Sequence, residues 1–278
     1  MQNVHDYAKD VDIFDQRSTG VQAGERMLAV ISAMPNEITA IVQSLGEVTT
    51  RTLGQRQYHA GNFGDTPVVV VFSGWGKVAA AATTTQLIAA YDVTDVVFTG
   101  VAGAVRHGLS IGDVVVGTEL IHHDMDASPI FPRYEVPLLG KAMLPTDAGL
   151  RAQLRTAALG FLRQDLAIAV PQSSRDWFRI TSPQVVEGLI ASGDQFIDSA
   201  EEIDALRQRL PNVACVEMEG AAVAQVCDEY AMPFGIVRTI SDAADENAQH
   251  DFPRFSREIA GRYSLGILAR FVQGQYSG

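Results

Sequence analysis

Short apolar runs alternate along this chain with longer segments of helical spacing, and the alternation begins at Met27. Leu28 to Ile31, Asp95 to Phe98, Val213 to Val216 and Phe234 to Val237 are runs of the kind that predict strands buried on both faces. Gln55 to Ala60 and Pro67 to Phe72, broken by Gly61 to Asp65, predict a hairpin. Val114 to Val116 and Gln184 to Ala191 add two further strands. Between them, 78 to 90, 147 to 161 and the segment carrying Ala222, Val223, Val226 and Tyr230 have helical periodicity, and Phe255 to Val272 predicts a closing amphipathic helix. Pro35 suits the first turn of a helix after the first strand. Leu166 to Val170 is another apolar run, followed by Gln172 to Ser182 with Trp177 and Phe178. No repeat or linker follows Met27, so 27 to 278 is expected to form one α/β domain. Residues 1 to 26 have little apolar periodicity and are read as an extension, either disordered or docked on a neighbour.

Acidic side chains collect at the ends of these predicted strands. Glu217 and Glu219 close one, Asp242 closes the next, and Glu37 lies just past the first. In an open α/β sheet the carboxyl ends of strands are where ligands bind. Carboxylates at a strand-to-helix junction are also ordinary helix-start residues, favoured by the positive end of the helix dipole, and spacing alone leaves both readings open. The small residues of Thr99-Gly100-Val101-Ala102-Gly103-Ala104 permit close approach of a ligand or another backbone. Ser73 to Lys77 is a tight strand-to-helix turn without the glycine spacing of a triphosphate loop. His122, His123, Asp124 and Asp126 invite a metal assignment, but neighbours on a strand point to opposite faces, so no metal site is expected. Residues 127 to 146, rich in proline and aromatic side chains, predict a long loop of the kind that usually serves function.

Composition narrows the partners. A chain of 278 residues with net charge −12 has no clustered cations for a nucleic acid or an anionic membrane. No apolar run is long enough to cross a bilayer, and the first 26 residues do not resemble a secretory signal. Cys215 and Cys227 show no metal-ligand spacing and suit a reducing cytoplasm as buried thiols.

Several stretches in order resemble the nucleoside phosphorylase superfamily, and most closely the bacterial 5'-methylthioadenosine/S-adenosylhomocysteine nucleosidases. These are Ile31 to Met34 with Glu37, Ser73 to Ala80, Thr99 to Gly103 with Ile111-Gly112-Asp113, Ser192-Gly193-Asp194 with Phe196-Ile197, Val216 to Glu219, and Arg238 to Asp242. The resemblance implies a three-layer α/β/α domain with a central mixed β-sheet, nucleoside phosphorylase-like, acting without a cofactor as a cytoplasmic homodimer on a small-molecule nucleoside. It also implies roles. Asp242 would protonate N7 of adenine, Glu37 would activate water, and Glu219 would bind the ribose hydroxyls. Met218 would pack on the sugar and Phe196 on the base, the Ile197 backbone would meet the base edge, and Ser241 and Arg238 would support the carboxylates. Ala102 and Gly103 would line the same pocket.

These residue types fit the chemistry independently. Breaking an N-glycosidic bond needs a protonated leaving base, support for an oxocarbenium-like sugar and a water on the opposite face, a division of labour like that of two-carboxylate glycoside hydrolysis. To hold a proton near neutral pH, Asp242 would need its pKa raised by burial or a nearby like charge. The chain departs from the family pattern at Val101, where many of these nucleosidases carry a serine, at the longer 163 to 184 segment, and in the loop around Phe131 and Tyr134. Two rival readings are a phosphorylase, drawing on Arg238, Lys77 and Arg106 to bind phosphate, and a nucleoside-binding protein without catalysis.

Overall fold

The computed structural model describes residues 26–242 and 248–276. The extension expected over 1 to 26 lies, apart from Arg26, outside the described residues. Four apolar residues in a row and then Ser32 make Leu28–Ser32 (β1) a strand buried along its whole length. Its neighbours are Thr66–Phe72 (β4) and Asp95–Ala104 (β5), both parallel to it. Successive β1 side chains enter opposite cores: Leu28 and Val30 join one, Ala29 and Ile31 the other. A strand between two helical layers must be apolar on both faces, which is why these runs are continuous.

Phe234–Asp242 (β10) runs parallel to β5 and antiparallel to Val114–His122 (β6). β6 lies parallel to Val185–Ser192 (β8), which lies parallel to Val213–Glu217 (β9). β9 returns antiparallel to the far end of β5, through Gly103 and Ala104. The mixed sheet therefore closes a five-strand ring through β5, β10, β6, β8 and β9, and extends outward through β1 and β4. Arg56–Phe63 (β3) pairs antiparallel with β4 as the expected hairpin, with a tighter turn at Gly64 and Asp65, so Gly61 to Phe63 continue the strand. Gly46–Leu53 (β2) adds an outer strand that the apolar pattern did not predict.

Helices cover both faces. Pro35–Val42 (α1), Ala148–Gly160 (α3) and Gly261–Tyr276 (α9) bury their apolar side chains in one core. Lys77–Ala90 (α2) and Gly220–Glu229 (α7) build the other, giving the three layers expected. α3 passes through a wider helical turn at Phe161–Asp165 into Leu166–Ala169 (α4), and Gln172–Trp177 (α5) follows. Ala200–Arg209 (α6) packs over β8 and β9 through Ile203 and Leu206. Residues 127 to 143 form the long loop expected, ending at the short strand Leu144–Pro145 (β7). Ala248–Phe255 (α8) starts the closing helical run seven residues before the periodicity suggested. No helix of the described residues is long and apolar enough to cross a membrane.

Candidate active site

β9 ends in a carboxylate saturated by its surroundings. Glu217 Oε1 and Oε2 accept from the Gly220 N–H at 2.9 and 2.8 Å, and Oε2 also accepts from the Glu219 N–H at 3.3 Å. Ser192 Oγ donates to Oε1, and Arg238 Nη2 donates to Oε2 at 2.8 Å. Glu217 thus satisfies the first N–H groups of α7, as a helix-start acid does, and forms a buried ion pair with Arg238, 1% and 4% of whose side chains are exposed. The Arg238 guanidinium lies 3.9 Å over the Phe98 ring. A side chain on Gly100 would stand 3.1 Å from Arg238 Nη1, so glycine there leaves room for the guanidinium against β5. Arg238 was expected to support the catalytic carboxylates; its direct partner is Glu217.

Glu219, two residues on, is held differently. Its Oε1 accepts from the Gly76 N–H at 2.8 Å. That amide sits in the turn before α2, where Gly74 and Gly76 have φ of 78° and 85°, a region that suits glycine. Burial first, and then the charge of Glu217, lift the Glu219 pKa from 4.5 to about 7. Because the folded state holds this proton to higher pH than the unfolded chain, stability falls as pH rises between 4.5 and about 7. Glu219→Gln is expected to flatten that slope by roughly 1 to 3 kcal/mol over the window. Denaturant midpoints of both proteins at several pH values check this, and identical slopes would remove the effect from Glu219.

Asp242 ends β10, 3% exposed. On a regular strand Ser241 and Asp242 would face opposite ways. The register with β5 shifts between Ile240 and Asp242, and an irregularity of this kind re-aims side chains, so both face one cavity. Ser241 Oγ donates to Asp242 Oδ2 at 2.7 Å and lies 3.5 Å from the Ala102 carbonyl.

The cavity at these strand ends has a volume of about 320 Å³. Asp242, Glu219, Met218, Phe196, Ile197, Ser241, Arg238, Ala102 and Gly103 all line it, as does Val101. Glu37 does not. It is fully buried in the first turn of α1, and its N–H donates to the carbonyl of the lining residue Met34 at 3.1 Å. Ser32 Oγ donates to Glu37 Oε2, whereas Oε1 has no hydrogen-bond partner among the described residues. Burial raises the Glu37 pKa, against opposing pulls from the Ser32 hydroxyl, the Arg238 charge and the Ser264 hydroxyl. An uncoordinated, desolvated carboxylate oxygen is a proton acceptor by disposition.

Met34, Trp75 and Phe252 also form the wall, unanticipated from the sequence. Phe252, on α8, meets Phe196 edge to face, with ring centroids 5.8 Å apart. Among the described residues no group of three or more His, Cys, Asp or Glu side chains is placed to hold a metal ion. His122 Nε2 contacts Gln225 Oε1 at 3.1 Å. Burial lowers the pKa of both His122 and His123.

The profile of the phosphorylase superfamily matches residues 27–273. A 5'-methylthioadenosine/S-adenosylhomocysteine nucleosidase of Bacillus thuringiensis is 35% identical over 247 residues, which cover 88% of this chain and 98% of the relative. The structure of the Neisseria meningitidis enzyme of that name, in complex with methylthio-immucillin-A, superposes with a TM-score of 0.78 at 33% identity, covering 90% of this chain and 99% of that one. A futalosine hydrolase of Helicobacter pylori superposes with a TM-score of 0.75 at 32% identity, covering 90% and 98%.

Proposed function

This chain belongs to the phosphorylase superfamily, and from that premise we propose that it hydrolyses the N-glycosidic bond of an adenine nucleoside such as 5'-methylthioadenosine or S-adenosylhomocysteine, releasing adenine. The observation that carries the reading is the convergence of Asp242 and Glu219 on one cavity, with Glu37 buried in the helix that follows the lining residue Met34 and its Oε1 without a hydrogen-bond partner among the described residues. Asp242, held by the Ser241 hydroxyl, is the general acid that neutralises the departing base. Phe196 stacks on that base and the Ile197 backbone meets its edge. Glu219, fixed by the Gly76 N–H, accepts from the ribose hydroxyls, and Met218 packs on the sugar. Glu37 draws the proton from the attacking water. Because it stands outside the cavity wall, it acts on a water lodged between it and the sugar and never touches the nucleoside.

Phosphate is the alternative nucleophile, and charge disfavours it. Arg238 is committed to Glu217, Lys77 to Asp124 at 2.5 Å, and Arg106 does not line the cavity. An incoming phosphate would find no spare cation among the described lining residues. A binding protein without chemistry would have no use for three buried carboxylates at one place. We also take the active form to be a homodimer in the reducing cytoplasm. Support comes from the exposed Ile130 and Leu138 flanking the 131 to 135 loop, and from two buried, unpaired thiols.

The test is chromatography of the products from 5'-methylthioadenosine with and without phosphate, alongside light scattering of the same sample. Free adenine and free 5-methylthioribose in both buffers are expected, from a particle of twice the 30.0 kDa chain mass, with the rate falling at least ~100-fold in Glu37→Gln. A ribose 1-phosphate product would sink hydrolysis, and an active 30.0 kDa species would sink the dimer.

A further inference from the structure

Two neighbouring backbone amides at the start of α2 serve two different loops. The Gly76 N–H donates to Glu219 Oε1 at 2.8 Å, and the Lys77 N–H donates to Asp194 Oδ1 at 2.7 Å. Gly76 takes a φ of 85°, and a side chain there would stand 3.0 Å from Asp194 Oδ1, so glycine lets the carboxylate come up against the turn. Asp194 belongs to the segment between β8 and α6 that carries Phe196 and Ile197 into the cavity wall. That segment has anchors of its own. The Gly193 N–H donates to the Glu217 carbonyl at 3.1 Å, the Asp194 N–H to Asp124 Oδ2 at 3.0 Å, and Gln195 Nε2 to Glu202 Oε1. Ile197 is buried in the same core as Ile203 and Leu206 of α6. None of these contacts uses the Asp194 carboxylate. The Lys77 ammonium also reaches the segment, through Asp124 at 2.5 Å, but along a flexible four-carbon stem. The amide bond to Asp194 is the tie that starts from backbone. It joins the segment that meets the base to the turn that fixes Glu219.

An ordinary account of this bond is that α2 has no capping side chain of its own, and Asp194 satisfies one of its first-turn amides. A cap would affect stability alone. We propose that Asp194 is also a positioning residue. By accepting the Lys77 N–H it holds Phe196 and Ile197 in register with Glu219, without touching the nucleoside. This rests on the proposed function, with the base on Phe196 and the ribose on Glu219. A ligand that occupies only the base side does not sense the register, whereas one that spans base and ribose does. Preorganisation of this kind is worth about tenfold in the affinity of a spanning ligand, and a misplacement of about 1 Å costs up to about 100-fold in rate.

The experiment compares, by calorimetry, the affinities of adenine and of 9-deazaadenosine, a C-nucleoside with no N-glycosidic bond to break. Asp194→Ala keeps the backbone N–H that meets Asp124 and removes only the acceptor for Lys77. Because 49% of the Asp194 side chain is exposed, the variant is expected to fold. It should bind 9-deazaadenosine about tenfold more weakly while adenine stays within twofold. Asp194→Asn, whose amide oxygen still accepts the Lys77 N–H, should restore the 9-deazaadenosine affinity to within about threefold of the unaltered chain. Equal weakening of both ligands by Asp194→Ala would make Asp194 an anchor of its own segment only and overturn the proposal. No weakening of either, or an Asn variant as impaired as the Ala variant, would overturn it too. Adenine release from 5'-methylthioadenosine is measured separately and is expected to fall roughly 10- to 100-fold in Asp194→Ala. An unaltered chain that releases no adenine would sink the hydrolase reading and leave the two affinities to decide the role of Asp194. An unaltered chain that binds neither ligand would sink both.

Discussion

Asparagine in place of Asp242 is expected to slow adenine release by roughly 100- to 10,000-fold while nucleoside affinity changes by no more than a few-fold. The amide preserves shape and can still accept the Ser241 hydroxyl, now 2.7 Å from Oδ2, so the cavity should keep its form. What it lacks is an acidic proton to place on the departing base. The loss should therefore appear in kcat, the signature of an interaction made in the transition state only. Single-turnover rates with calorimetric affinities check this. Turnover within tenfold of the parent would take the acid role from Asp242, and a matching loss of affinity would make it a binding group instead.

The second large effect is on stability. Arg238→Met is expected to cost about 3 to 5 kcal/mol, because it strands the Glu217 carboxylate in a place that excludes water. A second substitution separates this from lost packing. Glu217→Gln removes the stranded charge while its carbonyl still accepts the Gly220 N–H, so the double variant should regain most of the loss. Denaturant unfolding of the single and double variants gives the comparison. If Arg238→Met costs under about 1 kcal/mol, or if Glu217→Gln deepens the loss, the pair does not hold these strand ends together.

The catalytic half of this molecule was readable because buried parallel strands are continuous apolar runs whose ends can be counted. β1, β5, β9 and β10 were each visible in that way, and with them the places of Glu37, Glu217, Glu219 and Asp242. Sequence could not divide the roles among those acids. Glu217 and Glu219 stand two residues apart with the same chemistry. They differ because one faces Arg238, which is 21 residues away in sequence, and the other faces the Gly76 amide, which is 143 away. Likewise Glu37 does not line the cavity, a matter of how α1 sits on β1. Phe252 was missed because the apolar periodicity of the closing helix is legible only from Phe255, while the helical run begins at Ala248. β2 was missed because seven of its eight residues are exposed, which leaves no buried face to give a period.

The ring of strands has a further consequence for how molecules of this protein meet at high concentration. Strands paired on both sides cannot recruit an extended segment from another chain, so among the described residues the long open border of the sheet is β2. That border is poorly suited to templating. Its pairing with β3 slips between Gly46 and Thr49, Glu47 takes a φ of 54° there, and Glu47 and Arg51 place charge along it. Irregular, charged borders resist edge-to-edge growth into fibrils. The strands that form the cavity are thereby kept away from the one flank where aggregation could begin.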